Sequence, residues 1–331
     1  MAFGADIKKL ITATSAGKAL AERSRTIYLP GFSRFPLNVV WRSFRVQLKK
    51  NSLVERASGI SFNVVMAIPP ILIFVFTLIP YLPISKQFIH QIFALVRDII
   101  PGEKNNSVII KFLNDFINKP RNGLLSFGLL LAIYFSSNAM MGVLRSFDKN
   151  YPGFRKRKGI NKRRIAIKLT LIVFVLIFIC LLLLIAQSAV LKLIGITGAT
   201  LRTIINDLRW VFIILLTFLI VSVIYRHGPA VRKKWPLLTP GAIFATTLMI
   251  IATVLVSFWA DHFSNYNKLY GSIGAIFILM SLIYANSLAV LIGFELNVTL
   301  NNLKSERSEQ MKTTEQNNSE DNQEKKINRL K

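Results

Sequence analysis

The sequence predicts an all-α membrane protein with six transmembrane helices, and three observations support this fold class. Apolar residues make up 52% of the 331 residues, and the mean hydropathy is +0.46. Six long runs contain no Asp, Glu, Lys or Arg. The charged residues are strongly basic, with 42 Lys and Arg against 16 Asp and Glu, a formal net charge of +26. A water-soluble chain of this length cannot bury so much apolar surface, which excludes an ordinary soluble domain.

The six uncharged runs are the predicted spans, since a helix needs about 20 apolar residues to cross the hydrocarbon. Backbone polar groups in lipid must bond internally, so each run is expected to be helical. The fourth run corresponds to roughly 24 Å of helix, and Arg209 and Arg226 at its ends are expected to extend toward the head groups. The predicted spans cover residues 57–85, 122–144, 169–191, 210–225, 235–260 and 269–294.

The basic residues predict the orientation of these spans. Of the 42 Lys and Arg, 31 lie in the two terminal segments and the even-numbered loops, 9 lie in the alternate loops, and two lie at span boundaries. By the positive-inside rule, both termini are therefore predicted to be cytoplasmic. The four tryptophans are placed as expected for an interfacial belt, with Trp210, Trp235 and Trp259 at span ends and Trp41 before the first span.

Residues 1–56 form a predicted basic cytoplasmic region that precedes the membrane domain of residues 57–296. Within it, the segment 38–56 alternates basic side chains with an apolar series at helical spacing. This pattern predicts an amphipathic helix on the anionic cytoplasmic face of the membrane; a solvated linker is the alternative. The apolar series consists of Val40, Trp41, Phe44 and Leu48.

Two further segments lie outside the predicted spans. The connection 86–121 has two apolar stripes separated by Pro101 and Gly102, which predicts two short amphipathic helices acting as a lid or as a structural cap. The tail 297–331 is rich in Glu, Lys, Asn, Gln and Ser, and is predicted to be a disordered cytoplasmic segment.

The sequence contains no motif for a known catalytic chemistry. HExxH, the phosphate-binding GxxxxGK[ST], the dinucleotide fingerprint and the GxSxG elbow are all absent. Cys180 is the single cysteine, and the three histidines have no metal-ligand spacing. We therefore predict no catalytic residue, cofactor or metal, and no enzyme activity. The basic residues flank spans rather than form a separate domain, so nucleic acid is not an expected partner.

Polar side chains within the spans are the candidates for a substrate pathway. Each is costly in hydrocarbon unless it faces protein or water, although an interhelical hydrogen bond of about 0.6 kcal/mol is the plain structural alternative. Two prolines in the first span are predicted to kink or open that helix. The candidate pathway comprises Asn63, Pro69, Pro70, Asn138, Gln187 and Asn286.

Two other groups of residues stand out near the last span. Glu295 lies at the C-terminal end of its helix, where the dipole disfavours an anion, so we predict that it pairs with Arg145 or Arg226 rather than remaining in bulk water. Asp148 completes this candidate cytoplasmic ion-pair network. In the last span, Ser281, Ala285, Ala289 and Gly293 repeat every four positions and predict close helix packing. The predicted helix-packing motif also includes Tyr270, Gly271 and Ser272 at the start of this span.

Five further stretches stand out together: IPPILIFVFTLIP, SSNAMMGVLRSFDKNY, RHGPAVRKKWPLLTPGA, YNKLYGSIGAI and LIGFELN. With them, the chain resembles the YihY/BrkB family of bacterial inner-membrane proteins over about residues 40–300. The chain departs from the family pattern in two places. Ser61, Phe62 and Asn63 replace the paired tyrosines and alanines often found in the first span, and the tryptophan common in the middle of the last span is absent.

The resemblance implies a six-helix protein of the bacterial inner membrane, without an established activity. Members were once labelled as a ribonuclease, a label that no cluster of carboxylates in this sequence supports. The leading hypothesis is transport or handling of a lipid or other anionic amphiphile of the envelope. The expected partners are anionic lipids of the cytoplasmic leaflet, and envelope proteins are further candidates. A non-transporting scaffold for envelope machinery is the alternative, and a ribonuclease is disfavoured.

Overall fold

The computed structural model describes most of the predicted spans. It describes residues 35–50, 52–81, 122–148, 154, 157, 159–193, 199–231, 234–262 and 272–328; along 184–193, 199–209 and 318–328 it describes the backbone alone. The predicted amphipathic helices of 86–121 lie outside these residues. The helices are α1 (Leu37–Lys50), α2 (Leu53–Leu78), a 3₁₀ turn (Ile79–Tyr81), α3 (Asn122–Phe147), α4 (Gly159–Leu193), α5 (Ala199–His227), α6 (Pro240–His262) and α7 (Ser272–Asn328).

The prediction of six membrane-spanning helices is confirmed. Helices α2 to α7 each contain a stretch long and apolar enough to cross a bilayer. Large apolar side chains are exposed along all of them, and Leu130 on α3, for example, is 67% exposed. Such surfaces are unfavourable in water and are expected where hydrocarbon is the solvent. The all-α fold class therefore stands for the part of the chain that the structure describes.

The sequence predicts that the first span kinks or opens at its two prolines; the structure excludes the opening, and the kink stays a prediction. Helix α2 continues from Leu53 to Leu78 through Pro69 and Pro70, so the helix is not opened there. Each proline removes a single backbone donor, whereas opening the helix would leave several groups unsatisfied in an apolar environment. Pro70 is buried and Pro69 is exposed.

Three helices extend well beyond the uncharged runs that predicted them. Helix α4 begins at Gly159 and α5 at Ala199, ten and eleven residues before the predicted starts. Helix α7 has 57 residues and continues to Asn328, where the sequence predicted disorder from Asn297. Once a helix is nucleated within a buried segment, each further residue adds a hydrogen bond, and Glu, Lys and Gln are good helix formers.

The chain divides into two compact units. The first, here called the terminal unit, comprises the described residues of Met1–Ser52, Thr239–Gly241 and Ile292–Lys331. The second, the span unit, comprises those of Leu53–Leu238 and Ala242–Leu291. Within the span unit, α2 packs on α3, α3 on α4, and α4 on α5.

Helices α2 and α3 are antiparallel, and their register is defined at three points. The Arg56 guanidinium donates to the carbonyl of Ser146. A Cβ built on Gly142 would lie 3.7 Å from the Cα of Ile60, and one on Gly128 would lie 3.4 Å from the Cα of Phe74. Each step along α2 is matched by an equal step backward along α3. Small residues at the contact let the two backbones approach closely, as is common between membrane helices.

Three of the four tryptophans of the predicted interfacial belt are exposed, and their place at the membrane interface stays a prediction. Trp41, Trp210 and Trp259 are exposed, whereas Trp235 is buried. The Trp235 indole stacks edge-to-face on Phe154, with ring centroids 6.5 Å apart. This ring therefore packs within the protein instead of facing the membrane interface.

Candidate functional site

The side chain of Asn138 on α3 is hydrogen-bonded to an arginine of the next helix, α4. Its side-chain oxygen accepts a hydrogen bond from the guanidinium of Arg163, the fifth residue of α4. The guanidinium carbon also lies 4.9 Å from the ring centroid of Tyr134, one turn before Asn138. Arg163 is half-buried and Tyr134 is 55% exposed. An amide oxygen and an aromatic face thus fix a guanidinium at the surface of the span unit.

Asn63 on α2 lies against the same helix. Its side-chain nitrogen donates to the carbonyl of Gly59 at 2.7 Å. A Cβ on Gly142 would lie 3.4 Å from that nitrogen, so Asn63 faces α3 one turn from Asn138. Because Gly142 has no side chain, the Asn63 amide can pack directly against the backbone of α3.

Asn286 and its neighbour on α7 make polar contacts with two other helices of the span unit. Its nitrogen donates to the carbonyl of Leu282 at 3.0 Å and lies 3.5 Å from the hydroxyl of Thr253 on α6. The adjacent Ser287 accepts a hydrogen bond from Ser61 of α2 at 3.3 Å. Two neighbouring residues of α7 thus make polar contacts with α6 and α2.

These contacts form a belt of polar residues across five helices. In the described residues, the three asparagines do not hydrogen-bond to one another; each is bonded to a carbonyl, a hydroxyl or an arginine. The fourth predicted member, Gln187, lies on α4, and its side chain is outside the described residues. We call this set the polar belt: Ser61, Asn63, Tyr134, Asn138, Arg163, Thr253, Asn286 and Ser287.

Of the predicted cytoplasmic ion-pair network, Asp148 forms an ion pair in the structure, and its partner is a lysine outside that network. Asp148, directly after α3, pairs with Lys162 of α4, with 3.0 Å between the charged atoms. Arg145 is exposed and Arg226 is half-buried, and both belong to the span unit. Glu295 belongs to the terminal unit. Its pairing with either arginine stays a prediction.

Arg157 fastens the segment after α3 to the end of α5. Its two terminal nitrogens donate to the carbonyls of Gly228 at 2.7 Å and Pro229 at 2.8 Å. Burial lowers the pKa of the Arg157 guanidinium from its ordinary value, and the nearby carboxylate of Asp148 opposes that shift. A planar guanidinium can bond two successive carbonyls at once, which a lysine ammonium cannot do in the same geometry.

Glu295 is the most deeply buried acidic side chain among the described residues, with 0% exposure. The side-chain amide of Gln47 on α1 donates to its carboxylate at 3.2 Å. One turn later, the hydroxyl of Thr299 donates to the backbone carbonyl of Glu295. A buried carboxylate requires such donors because its desolvation is costly.

Asn297 bonds to the start of α6 within the same terminal unit. Its oxygen accepts from the backbone N–H of Gly241 at 2.9 Å, and its nitrogen donates to the hydroxyl of Thr239 at 3.0 Å. A Cβ on Gly241 would lie 2.2 Å from the carbonyl oxygen of Gly293. The LTPGA and GFELN stretches therefore meet at a backbone contact that only glycine permits.

The small-residue motif of the last span has one well-defined contact. Gly293 is buried against Gly241, and Ala289 is buried within the span unit. Ser281 and Ala285 are half-buried. Tyr270 and Gly271 lie outside the described residues, as does the side chain of Ser272.

Several contributors are not among the candidates that the sequence predicts, and the main ones are Gln47, Arg163 and Asn297. Arg163 resembled one more residue of a basic loop, and Asn297 was placed at the start of the tail. The signal for Asn297 was its position in the GFELN stretch. Among the described residues, no group of three or more His, Cys, Asp or Glu is placed to hold a metal ion.

The six apolar helices and the polar belt within them define an integral membrane protein of the all-α class. Residues 44–317 match the family model described as Virulence factor BrkB, and the chain belongs to that family. The chain is 29% identical over 253 residues to the putative ribonuclease-like protein YfkH of Bacillus subtilis (strain 168), a match that covers 76% of this chain and 90% of that protein.

Other relatives carry the description UPF0761 membrane protein. One from Chromohalobacter salexigens is 22% identical over 264 residues, covering 78% of this chain and 63% of its own length. Another, from Pseudoalteromonas translucida (strain TAC 125), is 30% identical over 98 residues, which is 30% of this chain and 33% of that protein. No solved structure matches the chain.

Proposed function

We propose that this protein binds and moves an anionic amphiphile, such as an envelope lipid, in the bacterial inner membrane. The observation that carries the proposal is the half-buried guanidinium of Arg163, held by Asn138 and Tyr134. Arg163 lies at the start of a candidate membrane-spanning helix, where a half-buried cation held by side chains of a neighbouring span is a candidate for a functional site. Arginine is suited to the head group because its planar fork binds phosphate or carboxylate in a bidentate manner.

An apolar strip continues from this cation along α3. Phe127, Leu130 and Tyr134 are all exposed and lie on one face at spacings of three and four residues. The strip extends about 10 Å from Tyr134 to Phe127. A charged group at one end and an apolar strip beyond it match the two parts of a lipid. The polar belt continues from the cation into α2, α6 and α7, and its polar side chains would offer hydrogen bonds to a head group that leaves Arg163.

The experiment compares movement of anionic and neutral lipids in vesicles containing the purified protein. Fluorescent phosphatidylglycerol or phosphatidylcholine is placed in both leaflets, and dithionite bleaching reports exchange between them. The wild type is expected to move the anionic lipid faster, and Arg163→Gln is expected to lower that rate at least about tenfold, as for loss of a charged anchor. Asn63→Leu, which removes a member of the polar belt, should also lower it.

Arg164→Gln is the matched control, because Arg164 is the next residue and is exposed. It removes the same charge and should leave the rate unchanged. A wild type that moves no anionic lipid, or equal rates for Arg163→Gln and wild type, would overturn the proposal. Incubating the same preparation with RNA tests the activity suggested by the name of YfkH; we expect no degradation.

A scaffold for envelope machinery is the second candidate function, and one observation favours it. Helix α7 continues well past the apolar stretch, and its side chains from Lys304 to Asn317 are exposed. A long polar helix provides a surface for partner proteins. Truncation after Leu303 distinguishes the two candidates. If the protein is a scaffold, the truncated form should fail to support the cell envelope in cells. If it moves lipid, the truncated form should still move anionic lipid in vesicles.

A further inference from the structure

Helix α1 has one face that is covered by protein. Gln47 at its C-terminal end bonds to Glu295, and Phe35 just before its start lies under the guanidinium of Arg307, 5.7 Å from the ring centroid. The two contacts are separated by twelve residues on each segment, and the later residue of one segment meets the earlier residue of the other. Helix α1 therefore lies antiparallel to the stretch 295–307 of α7. Val40 and Phe44, between the two contacts, are buried.

The structure and the sequence prediction differ over which side chains of α1 are available to a membrane. The apolar series was expected to face the lipid as a whole. Val40 and Phe44 instead pack in the terminal unit, whereas Trp41 is 51% exposed. An exposed tryptophan that the protein core does not cover is typical of a membrane interface.

The exposed face of α1 is cationic around this tryptophan. Arg42, Arg45 and Lys49 are exposed, and the guanidinium carbon of Arg45 lies 5.9 Å from the Trp41 ring centroid. Val46 is exposed beside them. The helix LNVVWRSFRVQLKK contains no acidic residue. We call this set, Trp41, Arg42, Arg45, Val46 and Lys49, the outer face of α1.

We propose that the outer face of α1 binds the acidic surface of the bilayer, with Trp41 and Val46 among the head groups and the three cations on anionic phosphates. Charge complementarity selects this occupant, because basic side chains near anionic lipid are attracted over a Debye length. Chain continuity supports it, since α1 ends at Lys50 and the first membrane-spanning helix begins at Leu53. The inference is independent of lipid movement at Arg163.

The test uses the full-length protein in nanodiscs, with Cys180→Ser removing the single cysteine. A fluorescent NBD label is attached through Val46→Cys, or through Thr314→Cys on the exposed part of α7 as the control site. In discs containing phosphatidylglycerol, the label at position 46 should emit at shorter wavelength and be quenched by doxyl-labelled lipid. In discs of phosphatidylcholine alone both effects should weaken, and the label at position 314 should show neither.

Charge variants separate surface binding from folding. Arg42→Glu combined with Arg45→Glu should abolish the phosphatidylglycerol-dependent quenching at position 46 at an unchanged melting temperature. Lys304→Glu combined with Lys312→Glu reverses two exposed charges on α7 and should leave it intact. Equal quenching with and without anionic lipid, or a water-exposed label that responds only to added RNA or an acidic peptide, would overturn the proposal.

Discussion

The side-chain oxygen of Asn297 accepts a hydrogen bond from the backbone N–H of Gly241 at 2.9 Å, in the first turn of α6. The same amide group donates to Thr239, the residue before the helix-initial proline. Asn297 therefore satisfies groups at the start of α6 that have no partner within that helix. It does so from a position 56 residues later in the chain.

Gly241→Ala is expected to destabilise the protein. The added Cβ would lie 2.2 Å from the Gly293 carbonyl oxygen and 2.5 Å from the Asn297 side chain, so backbone must shift. The expected loss is about 2 kcal/mol or more, measured as a lower melting temperature in detergent. Gly59→Ala is the control, because nothing lies within 4 Å of its Cβ. An unchanged melting temperature for Gly241→Ala would contradict the contact.

Gln47→Met tests the buried carboxylate. The substitution keeps the length of the side chain but removes the donor to Glu295, so the buried anion loses one hydrogen bond. We expect a loss of about 2 kcal/mol in the free energy of unfolding, measured by thermal or denaturant unfolding. Lys49→Met on the exposed face of the same helix should change stability little. Equal effects of the two substitutions would mean that the hydrogen bond contributes nothing.

The predicted partner of Glu295 is tested by reversing charges. Glu295→Arg should lower the yield of folded protein sharply, because an unpaired cation would replace a fully buried carboxylate. If Arg145 or Arg226 is the partner, its substitution by Glu in that background should restore the yield. Glu309→Arg, at an exposed position of the same helix, serves as the control. The pairing prediction is wrong if neither double variant recovers.

The register of α2 on α3 is tested by cross-linking. In a Cys180→Ser background, the pair Ile60→Cys and Gly142→Cys should form a disulfide on oxidation. A Cβ at position 142 lies 3.7 Å from the Cα of Ile60, which is within reach of disulfide geometry. Ile60→Cys with Phe135→Cys moves one partner by seven residues, about 10 Å along the helix, and should not cross-link. Efficient linkage of both pairs would indicate a mobile or different register.

The belt of polar residues shows how far sequence reasoning reached into the candidate site. Asn63, Asn138 and Asn286 were identifiable because an amide stands out in an uncharged run. Arg163 was not identifiable, because it stands among the other basic residues of a loop and nothing in the sequence distinguishes it from them. Its importance depends on a hydrogen bond to Asn138, 25 residues earlier in the chain.

The sequence by itself determined the class of protein, the number of spans and the approximate level of their polar residues. Whether a run of about 20 residues lacks charged side chains is a local property of the sequence, and such a run must be helical in hydrocarbon to satisfy its backbone polar groups. Tertiary structure alone decided which face of each helix contacts protein, because lipid is as apolar as a helix interface and leaves no amphipathic pattern to read. The burial of Val40 instead of Trp41 and the meeting of Asn297 with Gly241 also required the fold, because both depend on contacts between segments distant in the chain.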